Sequence, residues 1–385
     1  MTISPGLGTL PEGGRVDFDR LRAERRRRLV DAMRARQVDV LLLGRPANLI
    51  YAAGVRQLWT AGARPWGPGC VVVAGTGRVH LMSTWDEGVP AEIPRSDLFG
   101  LSWNPAKTTA NLKAIPGLSE AHRIGTDGLS VGTRQLVAAL APTAELVDGA
   151  PVVGEARSHK TADEVACLVT AAAAAEAALS AMVDVLRPGI SERQLLAVAA
   201  QRLASLGAPV LPSQAAACAL HGRLRRTLTD RAVGPGELVA LTPAASFAGY
   251  EGSLSRTWLP AGSHPSPDQR DMARRCRGGL DAVVEACRPG TTGADLLQRW
   301  EKATGSAASA GLTVHGVGLG VEPPLIGDGV GAGAVLAPDT VVAVQSWVAG
   351  ARGGGFLQKD LVHVTTEGPR VLTRFSSGPV GGDDA

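Results

Sequence analysis

Residues 235–260 read PGELVALTPAASFAGYEGSLSRTWLP, and this stretch decides the fold of the second half of the chain. Two apolar runs within it, 238–242 and 254–260, have the length and composition of strands. Gly249 and Tyr250 lie between the runs, a pattern typical of a hairpin or another short connection between strands. The stretch therefore predicts neighbouring strands of one sheet.

A short signal on either side of this stretch predicts an internal duplication. RPGIS at 187–191 and RPGTT at 288–292 each follow a long Ala-rich helical pattern, and each leads into a further helix. More strand signals follow the second copy, at 340–348, 361–365 and 371–374. The alternative is a chance similarity between two helix-turn-helix joints. The favoured interpretation is a pseudo-symmetric domain over residues 151–385, in which paired helices flank a sheet.

Residues 1–150 show a different pattern, in which helical and strand signals alternate. A helix is predicted over 18–36 and another over 132–140. Strands are predicted at 38–43, 70–74, 79–82 and 123–126. A joint that contains Pro and Gly follows at 148–154. This part of the chain is predicted to be a separate α/β domain with its boundary near residue 150.

Composition excludes several classes of protein. With 385 residues, 45% of them hydrophobic and 19% charged, the chain is long enough for two cores and too apolar to be disordered. The 39 basic and 36 acidic residues give a net charge of only +3, which argues against a nucleic-acid partner. The five cysteines have no metal-ligand spacing and are predicted to be reduced. The most apolar stretch is interrupted by Glu176 and Asp184, so we expect no membrane partner and a cytoplasmic protein.

Several segments, in the same order along the chain, resemble one family. They are 235–239 with Gly249-Tyr250 and 254–257, the loop HGVGL at 315–319, and the strand segments 336–345 and 359–365. Together they are similar to the family of methionine aminopeptidase, prolidase and creatinase, whose catalytic domain has the duplicated "pita-bread" fold. Residues 229–231 and the tail 372–379 most resemble the creatinase branch. The resemblance implies an α+β protein, with an N-terminal α/β creatinase-type domain followed by a pseudo-symmetric pita-bread domain of curved antiparallel sheet and paired helices.

The resemblance also locates a metal site, and this sequence departs from it there. In the metallopeptidases of the family two Asp, one His and two Glu hold a pair of divalent metals. The matching positions here are Thr242, Ser253, His315, Gln345 and Lys359. Hydroxyls, an amide and an ammonium cannot balance the charge of two divalent cations. We therefore expect neither a metal nor another cofactor.

The expected function follows from the creatinase resemblance. It implies a metal-independent, creatinase-like hydrolase that cleaves a C–N bond of a small carboxylate-bearing nitrogenous molecule. Two other hypotheses stay open: a non-catalytic binding or scaffold protein on the same fold, and a lyase or cyclase of specialised metabolism. A peptidase is the least expected, because the groups that would activate water through a metal are replaced.

Three residues are candidates for catalysis. His315 lies in a Gly-rich loop that allows close approach to a ligand, although a structural histidine is the alternative. The Lys359 ammonium could replace part of the charge of a metal, or form a salt bridge instead. The resemblance implies a catalytic histidine before Thr229; without a gap that position is Arg225, and with an insertion it is His221.

The remaining candidates are for substrate binding. Glu322 follows His315 by seven residues, where the family carries a second histidine. The others at this site are Gln345, Ser253, Ser255 and Tyr250, of which Ser255 replaces an acidic residue of creatinase. In the N-terminal domain, Arg64 and Trp66 resemble creatinase residues that reach into the site of the partner subunit. The resemblance therefore implies a homodimer.

Overall fold

The computed structural model describes residues 16–55, 69–83, 88–100, 104–208, 217–219, 230–308, 311–350, 354–378 and 380. The chain forms two compact units, one of them Asp17–His159 and the other including Lys160–Ala385. A helix over Ala150–Ser158 begins inside the joint predicted at 148–154, and Pro151 fits its first turn, where the missing N–H has no helical partner to lose. The units therefore divide after His159 rather than near residue 150.

The N-terminal unit is a five-stranded sheet with helices. The helices are α1 (Phe18–Ala35), α2 (Pro46–Ala53), α3 (Pro105–Lys113), α4 (Val131–Leu140) and α5 (Ala150–Ser158). The strands are β1 (Val40–Leu43), β2 (Cys70–Val73), β3 (Arg78–Leu81), β4 (Arg123–Thr126) and β5 (Glu145–Asp148). Their order is β3-β2-β1-β4-β5; β1, β4 and β5 are parallel, while β2 is antiparallel to both of its neighbours. The predicted α/β character of this unit is confirmed.

The C-terminal unit combines two helix pairs with antiparallel sheets. Its helices are α6 (Ala162–Val185), α7 (Glu192–Ser205), α8 (Pro267–Ala286) and α9 (Gly293–Thr304). Its first strands are β6 (Ala217–Ala219), β7 (Val239–Leu241), β8 (Ala244–Phe247), β9 (Tyr250–Ser253) and β10 (Arg256–Trp258). The remaining strands are β11 (Leu312–Gly318), β12 (Gly320–Ile326), β13 (Val341–Ala349), β14 (Gly355–Thr365) and β15 (Gly368–Val371). The largest sheet of this unit has the order β12-β11-β13-β14-β15.

The two RPG segments have the same geometry, as an internal duplication requires. Gly189 and Gly290 have φ angles of +89° and +87°. The N–H of Gly189 donates to Val233 O at 2.8 Å, and that of Gly290 donates to Leu336 O at 2.9 Å. Helices α6, α7, α8 and α9 each begin with a reciprocal side-chain cap, at Thr161, Ser191, Ser266 and Thr292. The pseudo-symmetric fold predicted for this half is therefore confirmed.

The largest sheet is apolar on one face and polar on the other. Val314, Val344 and Val362 belong to the hydrophobic core that also includes Leu296 of α9 and Leu280 of α8. Residues that alternate with them point away from this core, because successive side chains of a strand lie on opposite faces. The opposite face is therefore the one that carries the candidate functional residues of β11, β13 and β14.

Helix α6 is the one helix in the described ranges that is long and apolar enough to cross a membrane by length and composition. In the 18-residue window of the helix that passes this test, 67% is buried inside the protein. The helix packs against β8 and β9. At Gly252 a Cβ atom would overlap the backbone of Ala171 and Ala172, which shows how closely β9 approaches the helix. This burial is typical of a core helix.

Candidate functional site

Strand register brings three of the candidate residues to one face of the sheet. In the ladders of β11, β13 and β14, Gln345 lies opposite Thr313 on one side and Lys359 on the other. His315 lies opposite Ala343, two residues from Gln345, so its side chain shares the same face. We call this surface, defined by His315, Gln345 and Lys359, the Lys359 face.

Lys359 is the charged centre of this face. Its side chain is buried, with 8% of the residue exposed, and its Nζ donates to Ser253 Oγ at 2.8 Å. The backbone of Lys359 pairs with Ser255 through two hydrogen bonds of 3.1 and 3.2 Å. These contacts fix the ammonium at the junction of β9 and β14. Ser253 is therefore the hydrogen-bond acceptor of the Lys359 ammonium, and its contact with a substrate stays a prediction.

Glu251 is a residue that the sequence analysis missed. It lies two residues before Ser253 in β9, so both side chains point to the same side of the strand. Burial raises the pKa of the Glu251 carboxyl, and the positive charge of Lys359 acts in the opposite direction. Side chains two residues apart in a strand lie on the same side, so counting back two residues from Ser253 would have identified Glu251. The Lys359 face therefore contains a carboxyl as well as an ammonium.

Tyr250 is not on this face, whereas Ser255 lies directly opposite Lys359 in an antiparallel bridge, so its side chain shares the face. The Tyr250 side chain is 1% exposed, and its hydroxyl donates to Glu164 Oε1 at 2.7 Å under α6. Ser255 is fully buried, and its hydroxyl donates to Thr242 Oγ1 at 3.0 Å. Both were predicted to bind substrate. Alternation turns Tyr250 toward the helix, where it serves packing, while Ser255 is buried at the Lys359 face with Thr242 as its hydrogen-bond partner.

Glu322 is committed to a buried ion pair. Its Oε2 accepts a hydrogen bond from Lys160 Nζ at 2.7 Å, and the two side chains are only 6% and 2% exposed. Its Oε1 accepts from the N–H of Leu319 at 3.2 Å. A buried carboxylate that is matched by a buried ammonium is costly to separate. Glu322 was predicted to bind substrate, and in the structure its carboxylate is paired with Lys160.

Four candidate site residues lie outside the described residues. They are Arg64, Trp66, His221 and its alternative Arg225. The choice between His221 and Arg225, and the contribution of Arg64 and Trp66 across a dimer interface, stay predictions.

The residues at the positions of the family's metal ligands do not fit a pair of metals. Thr242 and Ser255 bond to each other, and Ser253 accepts from the Lys359 ammonium. His315 is the one good metal donor of the five positions. In the described part of the chain, no group of three or more His, Cys, Asp or Glu side chains could hold a metal ion. These five positions therefore do not offer the anionic oxygens that a pair of divalent metals needs.

The sequence matches two family descriptions that together span most of the chain. Residues 166–366 match metallopeptidase family M24, and residues 25–159 match the creatinase/prolidase N-terminal domain. The uncharacterized peptidase YqhT of Bacillus subtilis is 27% identical over 349 residues, covering 87% of this chain and 94% of that protein. The Xaa-Pro dipeptidase of Pyrococcus furiosus is 23% identical over 372 residues, covering 91% and 98%.

Solved structures agree with the fold. An Xaa-Pro dipeptidase from Bacillus anthracis has a TM-score of 0.75 at 21% identity, and the match covers 92% of this chain and 98% of that one. A dipeptidase from Pyrococcus horikoshii has a TM-score of 0.76 at 19% identity, with 91% and 98% covered. Each likeness extends through both units of the chain. The α+β fold class with its pita-bread domain is confirmed.

These comparisons contradict the expected reaction. Relatives that span nearly the whole chain are peptidases, so the prediction of a creatinase-like hydrolase of a non-peptide C–N bond is wrong. The segments that resembled creatinase hold the framework together: Arg231 donates to Glu237 at 2.5 Å, and Thr373 donates to Asp360 at 2.6 Å. Such residues stabilise the fold, and their resemblance to creatinase therefore does not identify the substrate. The chain belongs to metallopeptidase family M24, a family of hydrolases, and carries a creatinase/prolidase N-terminal domain before its M24 domain.

Proposed function

We propose that this chain hydrolyses short peptides at the Lys359 face, with Xaa-Pro dipeptides as the first substrates to test. Family membership supports the reaction class, and the named activity of the full-length relatives supports the substrate class. The observation that carries the proposal is the buried Lys359 ammonium on Ser253, with Glu251, Gln345 and His315 on the same surface.

Substrate binding would use the positive charge of this face. A buried ammonium forms strong hydrogen bonds to a carbonyl oxygen or carboxylate, since little water competes for it. The Gln345 amide, opposite Lys359 in the ladder, can donate to one end of a peptide group and accept from the other. Both ends of a dipeptide are polar, which matches a site that offers a cation and a carboxyl together.

Hydrolysis would use Glu251 for proton transfer. Its carboxylate takes a proton from a water molecule as the water oxygen attacks the peptide carbonyl carbon. The Lys359 ammonium stabilises the oxyanion that forms. The C–N bond then breaks, and the proton passes from Glu251 to the departing nitrogen, so that the products are a free acid and a free amine. His315, on the same face, is the second group able to carry a proton.

A peptide panel tests this proposal. We expect the purified chain to release proline from at least one Xaa-Pro dipeptide, and Lys359→Ala to lower kcat/KM about a hundredfold, the effect of removing an oxyanion donor. Lys302→Ala, at an exposed lysine of α9, is the matched control and should keep full activity. If no peptide of the panel is cleaved at any pH tested, or if Lys359→Ala cleaves as well as the control, the proposal is wrong.

We also propose that the chain works as a homodimer in the cytoplasm. Cys70, Cys276 and Cys287 are free and buried, which agrees with a reducing compartment. The resemblance to creatinase supports the dimer, with Arg64 and Trp66 contributed by the partner subunit. Sedimentation at working concentration tests it, since a monomer that is fully active would exclude a shared site.

A further inference from the structure

We propose that an internal cation, the Lys359 ammonium, replaces the metal pair of the M24 family in this chain, with Glu251 as its counter-charge. The chain's own residues thus supply the positive charge that the family name assigns to metal ions. This replacement rests on the proposed function, because it concerns the same Lys359 face. Its main measurements are metal content and thermal stability, so it can be judged whether or not peptides are cleaved.

The position of the ammonium is the first argument. Lys359 and Ser253 fall on two of the five positions that hold metals in relatives, and here the first donates to the second at 2.8 Å. A cation placed between these positions repels a second cation, and the repulsion is strong because Lys359 is 8% exposed. The hydroxyl of Ser253 is also occupied by this contact. Two potential ligands are therefore removed by one interaction.

The neutrality of the surrounding groups is the second argument. Gln345, opposite Lys359, offers an amide, and Thr242 accepts a hydrogen bond from Ser255. A pair of divalent cations needs several anionic oxygens, whereas one ammonium needs a single carboxylate. Glu251, on the same side of β9 as Ser253, is within electrostatic reach of Lys359. The charge of the site is thus matched to one monovalent cation.

The fixed backbone around Lys359 is the third argument. Two backbone hydrogen bonds join Lys359 to Ser255, and the guanidinium of Arg256 donates to Lys359 O at 2.8 Å. Arg256 also binds Asp360, so the strand cannot shift to move the ammonium out of the site at low cost. An ordinary surface lysine on a flexible segment would lack these backbone contacts.

The first experiment measures metal binding by the full-length chain. Chelator-treated protein is dialysed against Mn²⁺, Co²⁺ or Zn²⁺, and bound metal per chain and the melting temperature are determined. We expect no stoichiometric metal and no shift in melting temperature, since a ligand raises the stability only of a fold that binds it. Stoichiometric metal that raises the melting temperature of the unaltered chain would overturn the inference.

The second experiment restores the family's ligands in two steps. The three-site variant Thr242→Asp, Ser253→Asp, Gln345→Glu keeps Lys359, and the four-site variant adds Lys359→Glu. We expect the four-site variant to gain metal and to bind it at least about tenfold more tightly than the three-site variant. Equal metal binding by the two variants would show that the ammonium does not compete with a metal, contrary to the proposal.

A third measurement covers the case in which these variants fold poorly. Lys359→Met and Glu251→Gln are compared singly and together by melting temperature. If the two groups compensate each other, each single change lowers the melting temperature and the double change costs less than the sum, because no buried charge is left alone. Strictly additive losses would show that Glu251 is not the counter-charge of Lys359.

Discussion

Neighbouring residues of β9 serve different purposes because their side chains alternate between two faces. Tyr250 points to α6 and donates to Glu164, whereas Glu251 points toward Lys359. The family-like segment contains both residues, and Tyr250 is the more conspicuous in the sequence. The position of Ser253, two residues after Glu251, decides which of the two lies at the site. The alternation of side chains along β9 therefore decides which residues lie at the site, more than the type of side chain does.

The packing role of Tyr250 leads to a prediction about stability. In Tyr250→Phe the buried Glu164 carboxylate loses a hydrogen bond of 2.7 Å, and we expect the free energy of unfolding to fall by about 1–3 kcal/mol. Peptide cleavage per folded molecule should be unchanged, since the hydroxyl does not reach the Lys359 face. Urea unfolding and steady-state kinetics check the two parts. If Tyr250→Phe keeps its stability but loses turnover, Tyr250 acts at the substrate site and not in packing.

At the scale of elements, the contact between β9 and α6 holds the site strand in place. Gly252 faces the helix, and a Cβ there would overlap the backbone of Ala171 and Ala172. Neither backbone can move without displacing a whole element. The approach of β9 to β14, which brings Ser253 to Lys359, therefore depends on a glycine in the opposite face of the strand.

Gly252→Ala tests this dependence. We expect it to lower the free energy of unfolding by about 2 kcal/mol or more, because overpacking against backbone is not relieved by a change of rotamer. Gly278→Ala, on the exposed side of α8, is the matched control. It has open space around its Cβ position and should raise the helix stability by about 0.5–1 kcal/mol. A stability loss at Gly278 as large as that at Gly252 would show that the close approach is not the cause.

The elements could be predicted from the sequence because their signals are local. Thr161 and Glu164 form the reciprocal cap that their spacing predicts, and the two RPG segments adopt the same turn. The site was predicted in part: the resemblance brought His315, Gln345 and Lys359 together, as the strand register does. The reaction could not be predicted, because residues such as Arg231 and Thr373 resemble one branch of the family while they serve the framework.

At the scale of the whole molecule, each unit buries a histidine inside a group of charges. His80 of β3 lies 3.4 Å from Asp97, with Arg78 also close to it. His363 of β14 has its Nε2 3.5 Å from Asp339, and the charges of Arg370 and Lys160 also act on it. Burial lowers the pKa of both imidazoles, and the neighbouring carboxylates act against this without cancelling it. Both units are therefore expected to respond to acid in the same direction.

The sign of this response follows from proton linkage. A histidine in the unfolded chain takes up a proton as the pH falls through 6.5, its ordinary value, while the folded His80 and His363 stay neutral until a lower pH. The unfolded state then binds more protons than the folded state, so the free energy of unfolding decreases as the pH is lowered through this window.

Urea unfolding at about pH 7.5 and about pH 5.5 should show that loss in the unaltered chain, and His363→Gln should reduce it, because glutamine does not titrate. His264→Gln, at an exposed position, serves as the control and should leave the loss unchanged. If His363→Gln and His264→Gln lose the same free energy on acidification as the unaltered chain, the buried imidazole of β14 does not set the acid stability. The charges around it would then have compensated the cost of its burial.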